Sequence, residues 1–352
     1  MTSSTASGYV PALDGVRAVA ALLVVFFHLR LGFSNGDIGV DVFFVLSGFL
    51  ITGILLRAAD RGRVSFKTFY WRRALRLLPV YFVVVAVSVT VAFIGDLGGG
   101  TLRGAVSSLF YVSNWVAGGG YGLGLLAHTW SLSIEEQFYL IWPLTLVLLL
   151  LWVRGDRSKS VLAVAGLIAL CYASIVVCWA AGAAEGFTWN LTPARGMQLL
   201  FGCLLALLLS RPGEIRLPPR ARRLPDAVGL ASIAGLLVIA NFWNSGGWLE
   251  MLVQWPLVAV LTVLVLFACV APGPSLVQGL LSLPAIVAIG KVSYGLYLWH
   301  FPVMYALDDT LGMDNWGAKV LAVVLTAAIV PLSYRYLELP FLRMKNRKFA
   351  TT

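Results

Sequence analysis

Arg17 and His28 stand eleven positions apart on one apolar stretch, Leu13 to Leu31, and the residues between them, Ala18 to Phe27, are all uncharged and apolar. At 100° per residue, eleven helical steps return to within about 20° of the start, so the two side chains share a face roughly 16 Å apart along the axis. An imidazole titrates near neutrality, so it can take a proton from a hydroxyl and return it to a leaving group. A guanidinium can stabilise an oxyanion. Both groups are costly to bury in a membrane-length helix and usually face a polar cavity. The chain has only three histidines, which makes a chance placement of His28 improbable.

Four further segments carry groups of chemical interest. Tyr70 to Pro79 enters the third apolar span with Arg72, Arg73 and Arg76. Arg73 and Arg76, three apart, share a helix face. Arginine forks bind phosphates in bidentate fashion, so a phosphate-bearing donor on that side would suit this position as well as simple topological anchoring does. His128 to Tyr139 opens the fourth span with adjacent acids, Glu135 and Glu136. Their side chains point about 100° apart, so only one can face a given cavity. Acids near a helix start are also favoured by the dipole and by capping from Ser131 or Ser133. Ser293 to Pro302 places a second imidazole, His300, on an apolar helix beside Tyr294, which reads equally as an interfacial aromatic. Ser47-Gly48, within Phe43 to Leu50, suits close helix packing better than a nucleophilic serine, because the G-x-S-x-G context is missing.

The elements that position these groups are membrane helices. The chain of 352 residues is 59% hydrophobic and only 12% charged, with mean hydropathy +0.87, about half the charged fraction of soluble domains. The expected fold is all-α, a polytopic transmembrane bundle of about ten spans: 12–31, 39–58, 76–95, 134–153, 160–182, 194–210, 226–243, 251–270, 287–307 and 317–337. The net charge of +10 does not indicate nucleic acid, because the bases cluster in short segments between spans. Segments 57–76, 154–159, 211–223 and 343–348 hold the basic residues, while the alternate loops carry Asp37, Asp96, Glu185, Glu250, Asp308, Asp309 and Asp314. The basic loops are expected to be cytoplasmic, with both termini on that side. Arg17 then lies toward the inner half of the first helix and His28 toward the outer half.

The domain expectation is a short cytoplasmic segment over 1–11, a transmembrane domain over 12–340 and a basic tail over 341–352. Residues 1–11 lack Lys and Arg, so no signal peptide is expected. The connection 96–133 holds an apolar piece, 105–117, too short to span, which reads as a re-entrant or interfacial segment or as a plain external loop. Segment 211–225, rich in Pro and Arg, reads as a cytoplasmic linker. Cys171, Cys178, Cys203 and Cys269 lie in apolar spans without ligand spacing, so neither a disulfide nor a metal is expected.

Together these segments resemble the acyltransferase family 3 membrane proteins. Leu13-Asp14-Gly15-Val16-Arg17 through His28 resembles the family's first helix, and Gly39 to Phe49 its second. Arg73 and Arg76 match its paired-arginine motif, and Trp130 to Tyr139 its most recognisable block. Ser293 to Pro302 and Tyr336 to Pro340 match its last two helices. The match runs in order from residue 9 to about 343. It implies transfer of an acyl group (acetyl or another short acyl) from acyl-CoA to a hydroxyl of a sugar-containing acceptor, an EC 2.3.1-type reaction with no bound cofactor. The acceptor would be a cell-envelope glycan, a glycolipid or a macrolide-type metabolite, and the setting a multi-pass position in a bacterial cytoplasmic membrane. It implies that His28 and Arg17 are essential and that Glu135 is the more constant acid and Glu136 the companion; many relatives carry a hydrolase-like domain after the bundle, and none is expected here.

The expected mechanism places Arg72, Arg73 and Arg76 on the CoA phosphates and His28 as general base, or as a covalent acyl carrier. Arg17 would contact the oxyanion or the donor, and Glu135 would orient His28 or bind the sugar. Glu136, His300 and Tyr294 are further candidates. The alternative class is a transporter or flippase using intramembrane Arg17, His28 and His300.

Overall fold

A computed structural model of the chain describes residues 9–97, 99–210, 223–243, 246–273 and 275–347. Most of the expected linker over 211–225, most of the expected N-terminal segment and the end of the basic tail lie outside them. The architecture is all-helical. The long helices are α1 (Pro11–His28), α2 (Ile38–Asp60) and α3 (Phe66–Gly95), followed by short α4 (Thr101–Leu109) and α5 (Ser113–Gly118). Then come α6 (Thr129–Trp152), α7 (Arg157–Ala180), short α8 (Glu185–Trp189), α9 (Thr192–Leu209), α10 (Leu224–Phe242) and the single turn α11 (Gly247–Leu249). A π-turn, Glu250–Gln254, leads into α12 (Trp255–Val270), then α13 (Leu276–Leu281), α14 (Pro284–Lys291), α15 (Ser293–Leu311) and α16 (Trp316–Ser333). A second π-turn, Tyr334–Glu338, continues into α17 (Leu339–Arg347).

Local chemistry explains several boundaries. Pro11 begins α1, where its missing N–H costs nothing. The Ser65 side chain accepts from the Thr68 amide at the start of α3. Asp156 caps α7 by accepting from the Ser158 and Lys159 amides, and these bonds hold its carboxyl below the usual range. The third helix therefore starts ten residues before the expected span, and Arg72, Arg73 and Arg76 lie well inside it rather than at its entrance.

Nine helices among the described residues are long and apolar enough to cross a membrane, one fewer than expected. The expected span 287–307 is divided at Val292 into α14 and α15. Helix α15 has 19 residues but carries Ser293, Tyr294, Tyr297, His300 and two aspartates, so it is less apolar than its neighbours. The apolar piece expected over 105–117 is also broken. Tyr111 takes a left-handed backbone, φ 53°, and separates α4 from α5. Their polar residues turn inward, where Ser107, Ser108, Ser113 and Thr129 form a buried hydroxyl network at the start of α6.

Helix α2 is the central pillar and packs along α9, α1, α12 and α6. Its approach to α9 is reciprocal. A Cβ on Gly48 would fall 1.8 Å from the Leu199 carbonyl oxygen, and one on Gly202 would fall 1.9 Å from the Val45 carbonyl oxygen. Only glycine permits that backbone distance. The expected packing role of Ser47-Gly48 thus belongs to Gly48. A similar contact joins α14 to α1, where a Cβ on Gly290 would meet the Asp14 carbonyl oxygen at 1.9 Å. These close approaches fix α1, which carries Arg17 and His28, and α2, which carries Ser47.

Candidate functional site

A cavity of about 520 Å³ opens beside the α2–α3 connection and runs inward between α2, α3, α6 and α15. Its mouth is lined by Arg63, Ser65, Thr68 and Arg72. Farther in lie Arg73, Arg76, Arg17, Ser47, Glu135 and Tyr139, and its inner wall includes Ser131, Tyr294 and Tyr297. The mouth lies at the basic end of the bundle. All the expected site residues except His28, Glu136 and His300 therefore border one cavity.

The cations differ in their surroundings. Arg17 is held by Asp14 at 2.6 Å, and Asp14 also accepts from the Tyr9 hydroxyl at 2.7 Å. That bond raises the Tyr9 phenol to about 12. Arg73 donates through Nε and Nη2 to Glu136 and lies 3.4 Å over the Tyr139 ring. Arg76 is open to the cavity and makes no ion pair among the described residues.

The two acids separate as the helical angle requires. Glu135 faces the cavity, where it accepts from the Ser47 and Tyr139 hydroxyls. Glu136 turns to Arg73. Ser47 and Tyr139 were not singled out for this role by the sequence.

Arg17 and His28 do not touch, in keeping with their different depths. His28, the last residue of α1, lies beyond the inner wall, with Nδ1 3.1 Å from Nε2 of His300. The His300 Nδ1 is in turn 3.1 Å from the Leu296 carbonyl oxygen. The third histidine, His128, joins them with its ring centre 5.9 Å from that of His300. All the histidines of the chain thus form one cluster. Tyr297 separates it from the cavity: its hydroxyl bonds Ser131 at 2.6 Å and the His128 carbonyl at 2.9 Å. Its ring centre is 5.6 Å from that of His300. His128 precedes its span, so no spacing rule places it beside the other two histidines.

A second charged group, also not anticipated, sits in the half of the bundle toward the acidic loops. Buried Arg195 of α9 donates to Asp41 at 2.6 Å and stacks against Trp255, Trp189 and Trp130.

The molecule is a multi-pass helical bundle whose arginine-lined cavity ends beside a histidine cluster. The family model described as an acyltransferase domain matches residues 10–335, and the chain belongs to the acyltransferase 3 family. A Bacillus subtilis protein provisionally named as a peptidoglycan O-acetyltransferase is 36% identical over 97% of this chain and 56% of its own length. The peptidoglycan O-acetyltransferase of Listeria monocytogenes is 34% identical over 94% of this chain and 56% of its own. An O-acetyltransferase of Staphylococcus aureus is 30% identical over 97% of this chain and 58% of its own. The chain spans a little over half the length of these relatives. No solved structure matches it significantly.

Proposed function

We propose that this chain transfers an acetyl or other short acyl group from acyl-CoA to a sugar hydroxyl of a cell-envelope glycan. The observation that carries the reading is an arginine-lined cavity whose inner wall, Tyr297, is shared with the histidine cluster. The CoA phosphates bind at Arg72 and Arg76, with Arg73 beside them, and the pantetheine arm threads toward Tyr297. His28 Nε2 takes the proton of the acceptor hydroxyl. That oxygen bonds to the thioester carbonyl carbon to give a tetrahedral oxyanion, while Arg17, at the other depth, contacts the donor. Collapse breaks the C–S bond, and the CoA thiolate takes the proton from His28. Donor entry at the basic end and acceptor entry at the other would make this acylation across the membrane. The peptidoglycan O-acetyltransferases among the relatives make peptidoglycan the first acceptor to try.

Purified protein given labelled acetyl-CoA should release free CoA thiol only when a glycan acceptor is present. His28→Ala should lose turnover by roughly 100-fold or more yet bind CoA as well as wild type. Absence of thiol release from wild type with peptidoglycan fragments and other envelope sugars would sink the reading.

A further inference from the structure

The histidine cluster has an internal logic of donors and acceptors. A carbonyl oxygen can only accept, so the His300 Nδ1 that lies 3.1 Å from the Leu296 carbonyl carries a proton. A neutral His300 then presents a lone pair at Nε2. The His28 Nδ1 facing it at 3.1 Å must donate. With the Val24 backbone one turn back as its other hydrogen-bond partner, His28 is held in one tautomer, with its proton on Nδ1 and its lone pair on Nε2. That Nε2 has no hydrogen-bond partner among the described residues, and the ring is only partly buried.

The surroundings favour this fixed arrangement. His300 is 1% exposed and His128 2% exposed. His300 is flanked by the rings of Tyr297, Phe301 and His128. The titratable groups facing His28 and His300 are His128 from the start of α6 and Tyr297 from α15. No carboxylate lies within ion-pair or hydrogen-bond distance of the three imidazoles among the described residues. Both ring nitrogens of His128 lack partners, so it supplies no competing bond to His28. In acyl-transfer triads a carboxylate orients the base; here a second imidazole stands in that place.

We infer that His300 is the positioning residue of the reaction, accepting the His28 Nδ1 proton and so leaving His28 Nε2 free to take the proton of the acceptor hydroxyl. The inference rests on His28 being the base. When His28 takes that second proton, its Nδ1–H bond to His300 becomes charge-assisted and shorter, so the partner also favours the protonated state. His300 itself touches neither donor nor acceptor.

Nitrogen-15 magnetic resonance of histidine-labelled protein tests this, because only three imidazoles report. Wild type should show His28 protonated at Nδ1 and bare at Nε2. His300→Gln sets an amide oxygen near the former Nε2, so it should keep that tautomer and stay within about tenfold of wild-type kcat. His300→Leu fills the space without an acceptor. It should move the His28 proton toward Nε2 and lower kcat by roughly 100-fold or more with the CoA KM unchanged. A wild-type spectrum with the proton on Nε2 would overturn the inference even if His300→Leu failed to fold. Equal loss of kcat in the Gln and Leu variants with the spectrum unmoved would overturn it as well. If His28→Ala stays active while the tautomer is as stated, the assignment of His28 as base fails and the orientation of His28 by His300 stands.

Discussion

The guanidinium of Arg73 holds Glu136 through Nε at 3.0 Å and Nη2 at 2.5 Å while lying 3.4 Å over the Tyr139 ring. Its charge is thus matched inside the protein, whereas Arg76, one helical turn on, faces the cavity without an ion pair among the described residues. The two arginines of one motif therefore divide the work. Arg73 is paired within the wall, and Arg76 leaves its charge facing the cavity.

Arg76→Gln should leave the melting temperature in detergent nearly unchanged and weaken CoA binding by about tenfold or more, the worth of a charge-assisted phosphate contact. Arg73→Gln should lower the melting temperature, because Glu136 loses its partner, and the Arg73→Gln/Glu136→Gln pair should recover most of that loss. Titration calorimetry and thermal unfolding would check both. Equal losses of CoA affinity with no change in stability would show that Arg73 serves the donor directly.

The reciprocal contact of Gly48 with Leu199 and Gly202 with Val45 makes a packing prediction. A methyl at either position falls inside 2 Å of backbone oxygen, and neither backbone can move without parting α2 from α9. Gly48→Ala or Gly202→Ala should cost about 3 kcal/mol, at the top of the range for overpacking. Ser47 lies next to Gly48, so activity should fall with stability. Thermal unfolding of the purified variants measures this; a loss under about 0.5 kcal/mol would mean that the helices separate freely.

Much of the site follows from helical periodicity. Eleven residues place Arg17 and His28 at two depths, three residues place Arg73 and Arg76 on one cavity, and one residue turns Glu135 and Glu136 apart. Those are local relationships. The partners of these groups are not local. His28 meets His300 across 272 positions, and Ser47 meets Glu135 across 88; packing of α1, α2, α6 and α15 creates those pairs, and no spacing rule contains them. A sequence signal did exist for Arg195 and Asp41, since each lies within an expected span and an intramembrane charge requires a partner. The break at Val292 was less visible, because the apolar run continues through it.

Arg195 and Asp41 are 2% and 3% exposed, and Arg195 is packed among three tryptophans. Asp41→Asn should therefore destabilise by about 3–5 kcal/mol, the penalty for stranding a buried charge. Asp41→Leu/Arg195→Met should cost much less than either single change, because it removes both charges together. Comparing the four proteins by thermal unfolding gives the coupling. Additive losses would mean that Arg195 is held by its aromatic neighbours alone.

Asp37 lies in the connection before α2, with its Oδ1 buried and unpartnered. Burial is the chief cause that raises its carboxyl to about 6, Glu250 adds to the rise and Arg195 opposes it. A carboxyl with a raised folded-state value binds its proton more tightly folded than unfolded, so its favourable contribution is complete below about pH 4 and is lost as pH rises through about 6. Above that range the folded protein carries a poorly solvated charge that the unfolded chain does not. Asp37→Asn removes the charge and nearly preserves the shape. It should be more stable than wild type at pH 8 by on the order of 1–2 kcal/mol. The gap should narrow through pH 6 and vanish near pH 4. Melting temperatures of both proteins across that range decide the matter: a variant that is less stable than wild type at pH 8 would show that the Asp37 carboxylate is instead stabilised by Arg195.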